Sequence, residues 1–324
     1  MRWRAMKGAA PKDFRVQRAE LPGRGLSLAF WREGVGGYPL LLVHGYPETK
    51  RIWSRNVERL CAAGFEVIAP DLRGFGDSDL APDGFYDTAA HARDLHALVH
   101  DVLGHARCGA AGGDLGGVVV PDLALRFPGF VERQCVFNSG APVLPEAYAA
   151  AGIPPEKPWE ARPQSDYFLR QGRDPEGLVA ELDTPARRRA YIADFYGHRL
   201  WAAPGSFAPA DVDFMTEPFA DARKLRASWG AYELACGTRR ASERPLLFAP
   251  NPTPTLILFG PEDHVCDPGF PARCEIGYPD HVGPFLVPGA GHFIPWERAR
   301  TFNGALACLF RDRLAASAGT RRGS

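Results

Sequence analysis

The chain has 324 residues, 45% hydrophobic and 23% charged, with 38 basic against 38 acidic side chains. That length can bury a full α/β core and still carry an insertion, and the composition is that of a globular protein, not a disordered one. A balanced charge argues against a nucleic-acid partner or an anionic membrane surface, and no apolar run reaches the roughly 18 residues that cross a bilayer.

The segment Met1–Lys7 lacks the apolar stretch of a secretory leader, so a cytoplasmic location is expected. Phe14–Leu21 and Leu26–Arg32 read as an antiparallel strand pair closed by Pro22-Gly23-Arg24-Gly25. Pro39–Val43 is a continuous apolar run, as strands buried on both faces are. Thr49–Ala63 reads as a helix, Glu66–Ala69 as a strand and Thr88–Leu103 as a helix. Arg107–Gly113, Leu115–Phe127 and Glu132–Phe137 follow as strand, helix and strand. Pro121 should bend the middle one, because it removes a backbone donor. The alternation then stops. From Gly140 to Gly237 the chain is Pro-rich, aromatic and helical in its charged parts, before Thr255–Phe259, Phe285–Val287 and Trp296–Leu314 resume the first pattern.

One α/β core with a mostly parallel sheet and helices on both faces accounts for this order. It comprises residues 1–139 and 238–324, and the insert over 140–237 forms a helical lid above the carboxyl ends of the strands, where open α/β sheets keep their ligands. Seven cysteines make no CxxC pair, and free buried thiols in a reducing compartment are expected, with Cys61, Cys135 and Cys308 in apolar or helical context.

The most informative residue is Asp114, in Gly112-Gly113-Asp114-Leu115-Gly116 between a strand and a helix. A serine in such a turn is the lifted nucleophile of acyl-transfer enzymes. A carboxylate there points elsewhere. Its attack on an acyl group gives only a labile anhydride, whereas attack on a saturated carbon gives an alkyl ester that water can cleave. Downstream, Leu256–Phe259 runs into Gly260-Pro261-Glu262-Asp263-His264, and Gly289-Ala290-Gly291-His292 ends a later strand. The order Asp114, Asp263, His292 follows nucleophile, acid, base. His292 would activate water and Asp263 would orient it, with Glu262 and Asp267 as competing acids and His264 as a neighbour. In His44-Gly45-Tyr46-Pro47, the Tyr46 amide can join the Leu115 amide as an oxyanion hole.

These segments, with Asp71-Leu72-Arg73-Gly74-Phe75-Gly76-Asp77-Ser78, appear in the order found in the α/β-hydrolase fold family, and the chain resembles its epoxide hydrolase branch over about residues 25–315. The resemblance implies the α/β-hydrolase fold, an aspartate nucleophile, no cofactor and no metal, and a small apolar epoxide as substrate. It also implies lid tyrosines that assist ring opening. Tyr167 in Ser165-Asp166-Tyr167-Phe168-Leu169 looks like the first, and Tyr232 after Trp229-Gly230-Ala231 like the second; Tyr148, Tyr191 and Tyr196 are alternates. Ser78 has no pair of flanking glycines at nucleophile spacing and is not read as catalytic. A haloalkane or haloacid dehalogenase is the alternative, using the same Asp114, though Leu115 stands where such enzymes carry Trp or Arg. For a halide, Trp159, Trp201 or Trp229 would have to donate. The sequence is also compatible with a homodimer.

Overall fold

A computed structural model describes residues 11–162, 165–197 and 201–321. Its sheet contains β1 (Gln17–Glu20), β2 (Ser27–Glu33), β3 (Tyr38–Val43), β4 (Phe65–Pro70), β5 (Cys108–Gly113), β6 (Val131–Phe137), β7 (Thr255–Phe259) and β8 (His281–Leu286). The spatial order is β1-β2-β4-β3-β5-β6-β7-β8. β1 and β2 are antiparallel to each other, β2 is antiparallel to β4, and every later pair is parallel. The expected α/β class and mostly parallel sheet are borne out. β4, β5 and β7 are buried along their whole length, which is why they read as unbroken apolar or small-residue runs, whereas edge strand β1 alternates.

The core helices are α1 (Val57–Ala63), α2 (Thr88–His96), α3 (Gly116–Arg126), α11 (Phe270–Gly277), α12 (Ile294–Glu297), α13 (Ala299–Leu309) and α14 (Arg311–Arg321). α1 packs on β4 and on α13, and α2 packs on α3, which covers β5 and β6. Between β6 and β7 come α4 (Pro145–Ala150), α5 (Ser165–Arg173), α6 (Pro175–Glu181), α7 (Pro185–Gly197), α8 (Pro209–Thr216), α9 (Ala222–Ser228) and α10 (Gly230–Ala235). The regular part of the insertion thus starts at Pro145 and ends at Ala235, inside the expected limits of 140 and 237.

Several expected elements are divided. Thr49–Ala63 begins as a 3-10 turn over Lys50–Arg55, and α1 starts only after Asn56. The Asn56 side chain donates to the Pro295 carbonyl at 3.0 Å and to Asn303 at 2.9 Å, tying this corner to the C-terminal helices. The expected helix after Thr88 loosens into a π-helical turn over Ala97–Val102. The expected helix Trp296–Leu314 is three helices, broken near Arg298 and Phe310. Pro121 does not end α3, which continues to Arg126. β8 starts four residues before the expected Phe285, because Gly283 and Pro284 hide its pattern. Of the cysteines, Cys108, Cys135 and Cys274 are buried, but Cys61, Cys236 and Cys266 are half-buried and Cys308 is exposed, so the expectation of burial fails for these four. All seven are free thiols.

The Asp71–Ser78 loop is a buried ionic joint. Asp71 accepts from the Lys50 backbone N–H at 2.8 Å, the Lys50 ammonium at 2.6 Å and the Asp77 N–H at 2.8 Å. Gly76, at φ +45°, passes so close that a Cβ would lie 2.2 Å from an Asp71 oxygen. Arg73 binds Asp94 through two nitrogens, at 2.6 and 2.7 Å. Ser78 donates to the Asp71 carbonyl at 2.7 Å and accepts from Ala29 N–H at 2.8 Å, which leaves it a structural serine. Among the described residues no helix is long and apolar enough to cross a membrane.

Candidate active site

β5 delivers Asp114 to a turn that only a restricted set of residues could build. Asp114 itself has φ +48°, a strained position for a residue with a side chain. The glycines around it are required by contact. A Cβ on Gly113 would lie 2.2 Å from the Phe137 ring, and one on Gly116 would lie 2.1 Å from the Val43 carbonyl. The turn is held from behind, where the Asp114 N–H donates to the Asn138 carbonyl at 2.9 Å and the Ser139 hydroxyl donates to the Asp114 carbonyl at 2.6 Å.

The carboxylate is 24% exposed. Oδ1 accepts the Tyr46 backbone N–H at 2.7 Å, and Oδ2 lies 3.5 Å from His292 Nε2. Leu115, the other expected oxyanion residue, is the N-cap of α3 and lines the same cavity. Gly45 passes beneath, where a Cβ would meet the Asp114 Cβ at 2.5 Å. His44 does not face the cavity. Its Nε2 accepts the Leu72 N–H at 3.0 Å, so its proton sits on Nδ1 and goes to the Gly45 carbonyl at 2.8 Å. Burial holds His44 below the usual histidine range, consistent with a neutral ring.

His292 is buried, and its Nδ1 lies 2.8 Å from Asp263 Oδ2. Asp263 Oδ1 is fixed by the Val265 and Cys266 amides at 2.8 and 3.0 Å. The competing groups face solvent or are engaged by another side chain. Glu262 and His264 are exposed, and Asp267 binds Arg273 at 2.5 Å. Burial opposes a charged imidazole, but the Asp263 and Asp114 carboxylates outweigh it and hold His292 well above its ordinary range.

From above, α5 brings Tyr167 and α10 brings Tyr232 to the same cavity, with ring centroids 5.9 Å apart and planes at 80°. Burial first, and the nearby Asp114 carboxylate with it, raises both phenols well above the ordinary tyrosine value. They therefore stay protonated. The alternates are occupied elsewhere. Tyr148 donates to the Pro142 carbonyl, Tyr196 to the Pro47 carbonyl, and Tyr191 accepts from Gln171 at 2.8 Å.

The cavity is about 300 Å³, at the lower end of the range for small-molecule sites, roughly 300–1,000 Å³. Val118, Phe168, Trp159 and Val265 make it apolar, and Glu156, Arg162 and Asp267 add a polar edge. Sequence reasoning missed Asn138, Gln171 and Glu48. Glu48 accepts the Gly45 N–H at 2.7 Å, and burial pushes its carboxyl up to about 7. Two signals could have pointed to them: Gln171 stands one helical turn after Tyr167, and Glu48 directly follows the His44–Pro47 turn. Among the described residues the one cluster of metal-ligating side chains is His96, His100 and Asp101, none of which lines the cavity.

Comparison with known proteins agrees with the fold. The family model for the alpha/beta hydrolase fold matches residues 38–299. A soluble epoxide hydrolase from a Corynebacterium species is 29% identical over 81% of this chain and 86% of its own length. Among solved structures, the epoxide hydrolase CorEH superposes with a TM-score of 0.76 at 22% identity, covering 92% of this chain and 99% of that one. A thermophilic esterase from Thermogutta terrifontis superposes with a TM-score of 0.68 at 24% identity, covering 92% and 99%. At such identities the superpositions speak for the fold alone, and the chemistry has to come from the cavity.

Proposed function

The chain belongs to the alpha/beta hydrolase fold family, and we propose that within it this protein is an epoxide hydrolase that works through an ester on Asp114. The observation that carries the reading is the pairing of a carboxylate in the nucleophile turn with two protonated phenols across a small apolar cavity. The similarity to a named soluble epoxide hydrolase over most of both chains supports it. On this reading residues 140–237 act as the lid.

Asp114 attacks one ring carbon. A carbon–oxygen bond forms to the carboxylate as the ring carbon–oxygen bond breaks, and the expelled oxygen takes a proton from Tyr167 or Tyr232. Preorganised donors aimed at that charge favour this step. The product is a hydroxyalkyl ester. Esterification removes the Asp114 charge, one of the groups that keeps the His292 proton in place, so the ring gives up that proton more readily and is neutral, free to act as general base, when it is needed. It then takes a proton from water, and the hydroxide adds to the ester carbonyl. The Tyr46 and Leu115 amides stabilise the resulting oxyanion. Collapse returns the Asp114 carboxylate. One proton goes from the imidazolium to the departing diol oxygen, and the second proton of the attacking water leaves the Asp114 carboxyl and turns the phenolate back into a phenol.

The dehalogenase alternative is served less well. A departing halide needs N–H donors. Trp229 already donates to the Tyr46 hydroxyl at 3.2 Å, and Trp201 packs edge-on against His292, with ring centroids 4.8 Å apart. Of the three lid tryptophans Trp159 alone lines the cavity, stacked on Phe168 at 3.6 Å.

The test is turnover of small epoxides and of bromoalkanes of similar size, with wild type and the Tyr167→Phe and Tyr232→Phe variants. We expect diol without bromide, and each variant should lose about 2.7–4 kcal/mol of ring-opening stabilisation, as loss of an oxyanion-hole donor does. Bromide release with every epoxide untouched, and tolerance of both variants, would overturn the reading.

A further inference from the structure

Tyr46 faces the site at one end only. Its amide binds Asp114, while its phenol runs up into the insertion and is fully buried there. The hydroxyl accepts from Gln171 Nε2 at 2.7 Å and from Trp229 Nε1 at 3.2 Å. Gln171 Nε2 also reaches the Tyr191 hydroxyl at 2.8 Å. Gln171 and Trp229 are themselves fully buried.

The positions of the two donors matter. Gln171 stands four residues after Tyr167 on α5, and Trp229 stands three before Tyr232 at the start of α10. Residues at those spacings share a helix face. Each ring-opening tyrosine therefore has, about one helical turn away, a residue gripping the same core hydroxyl. The Tyr46 ring also packs edge-on against Tyr232, with centroids 5.1 Å apart. One core side chain thus sets the height and register of both lid phenols over the carboxylate.

We propose that Tyr46, Gln171 and Trp229 form a buried latch that positions Tyr167 and Tyr232 against the Asp114 turn. Tyr46 accordingly has a second duty besides its amide, and Gln171 is a positioning residue for ring opening. Burial gives the latch its strength. A polar group in this aromatic layer has no water to replace a lost partner, and orphaning one costs about 1–3 kcal/mol. A shifted lid would break bonds at both donors together, so the closed arrangement is sharply defined. The proposal rests on the epoxide hydrolase reading above.

The experiment is a double-mutant cycle on single-turnover ring opening, using Tyr46→Phe and Tyr167→Phe on the best epoxide found for wild type. Tyr46→Phe removes the hydroxyl and keeps the ring and the amide. We expect ring opening to slow at least tenfold, with KM changing less. We also expect Tyr167→Phe to cost several-fold less in the Tyr46→Phe background than in wild type, because a mispositioned phenol has less to lose. Gln171→Leu, similar in size and without the donor, should show the same non-additivity if Tyr46→Phe folds poorly. Additive effects in both cycles, or ring opening within twofold of wild type in a folded variant, would overturn the latch. A wild type that opens no epoxide would instead overturn the function reading, so the two failures are distinguishable.

Discussion

At the scale of single residues, the site is a set of charges placed where burial would otherwise forbid them. Asp263 is fully engaged by two amides and His292, and His292 lies between two carboxylates. Glu48 is the group whose cost is most easily measured. Its carboxyl is buried and raised to about 7, with burial the largest cause and the Gly45 amide and His292 opposing it. A carboxyl raised in the folded state binds more protons there than in the unfolded chain. Stability is then lost as pH rises from the unfolded value, near 4.5, through about 7. Glu48→Gln removes that loss. The variant should therefore gain on wild type across this window, by an amount on the order of 3 kcal/mol. Chemical denaturation of both proteins at pH 4 and pH 8 checks it. A stability difference that does not change with pH would show that Glu48 is not charged at a cost.

Elements place these residues, and here the sequence was legible unevenly. The Gly112–Gly116 turn could be read directly, because a strand, a clustered set of glycines and a helix leave few alternatives, and the contacts around Gly113 and Gly116 supply the reason. Asp263 and His292 could be placed at strand ends for the same local reason. The breaks at Asn56 and Phe310 were not legible, since Asn56 bonds Asn303 and Phe310 packs on Tyr38 and Phe65, all far away along the chain. Tyr46 was read for its amide alone. Its hydroxyl meets Gln171 and Trp229 across 125 and 183 residues of sequence, distances no local pattern spans. Gly45 tests the turn as an element. Gly45→Ala would place a methyl 2.5 Å from the Asp114 Cβ and 2.7 Å from Oδ1. The fold should survive at a cost of about 1–3 kcal/mol, while ring opening should fall by a hundredfold or more, as it does when a reacting group is misplaced by about 1 Å. Thermal melting beside single-turnover kinetics separates the two, and unchanged kinetics in Gly45→Ala would mean that Asp114 is not held by this contact.

For the whole molecule, the joint between core and insertion matters most. Arg51 donates to the Phe214 carbonyl at 2.8 Å, Arg55 pairs with Asp211 at 3.0 Å, and the His292 N–H donates to the Trp201 carbonyl at 2.7 Å. Glu297 gathers the Gly291, Phe293 and Ala203 amides on one carboxylate, so the histidine loop and the insertion share an anchor. An insertion bonded this closely should melt with the core in one transition. Tryptophan fluorescence and far-ultraviolet circular dichroism should then give coincident midpoints, and an early transition confined to one signal would show a separately melting insertion.

The central claim is that Asp114 forms a bond to substrate and that water then enters at the ester carbonyl. A single turnover in heavy-oxygen water, followed by mass analysis of the peptide that contains Asp114, tests it most directly. The account predicts label in the Asp114 carboxylate after one turnover and unlabelled diol oxygen. Label in the diol and none in the protein would contradict it, because water would then have opened the ring itself.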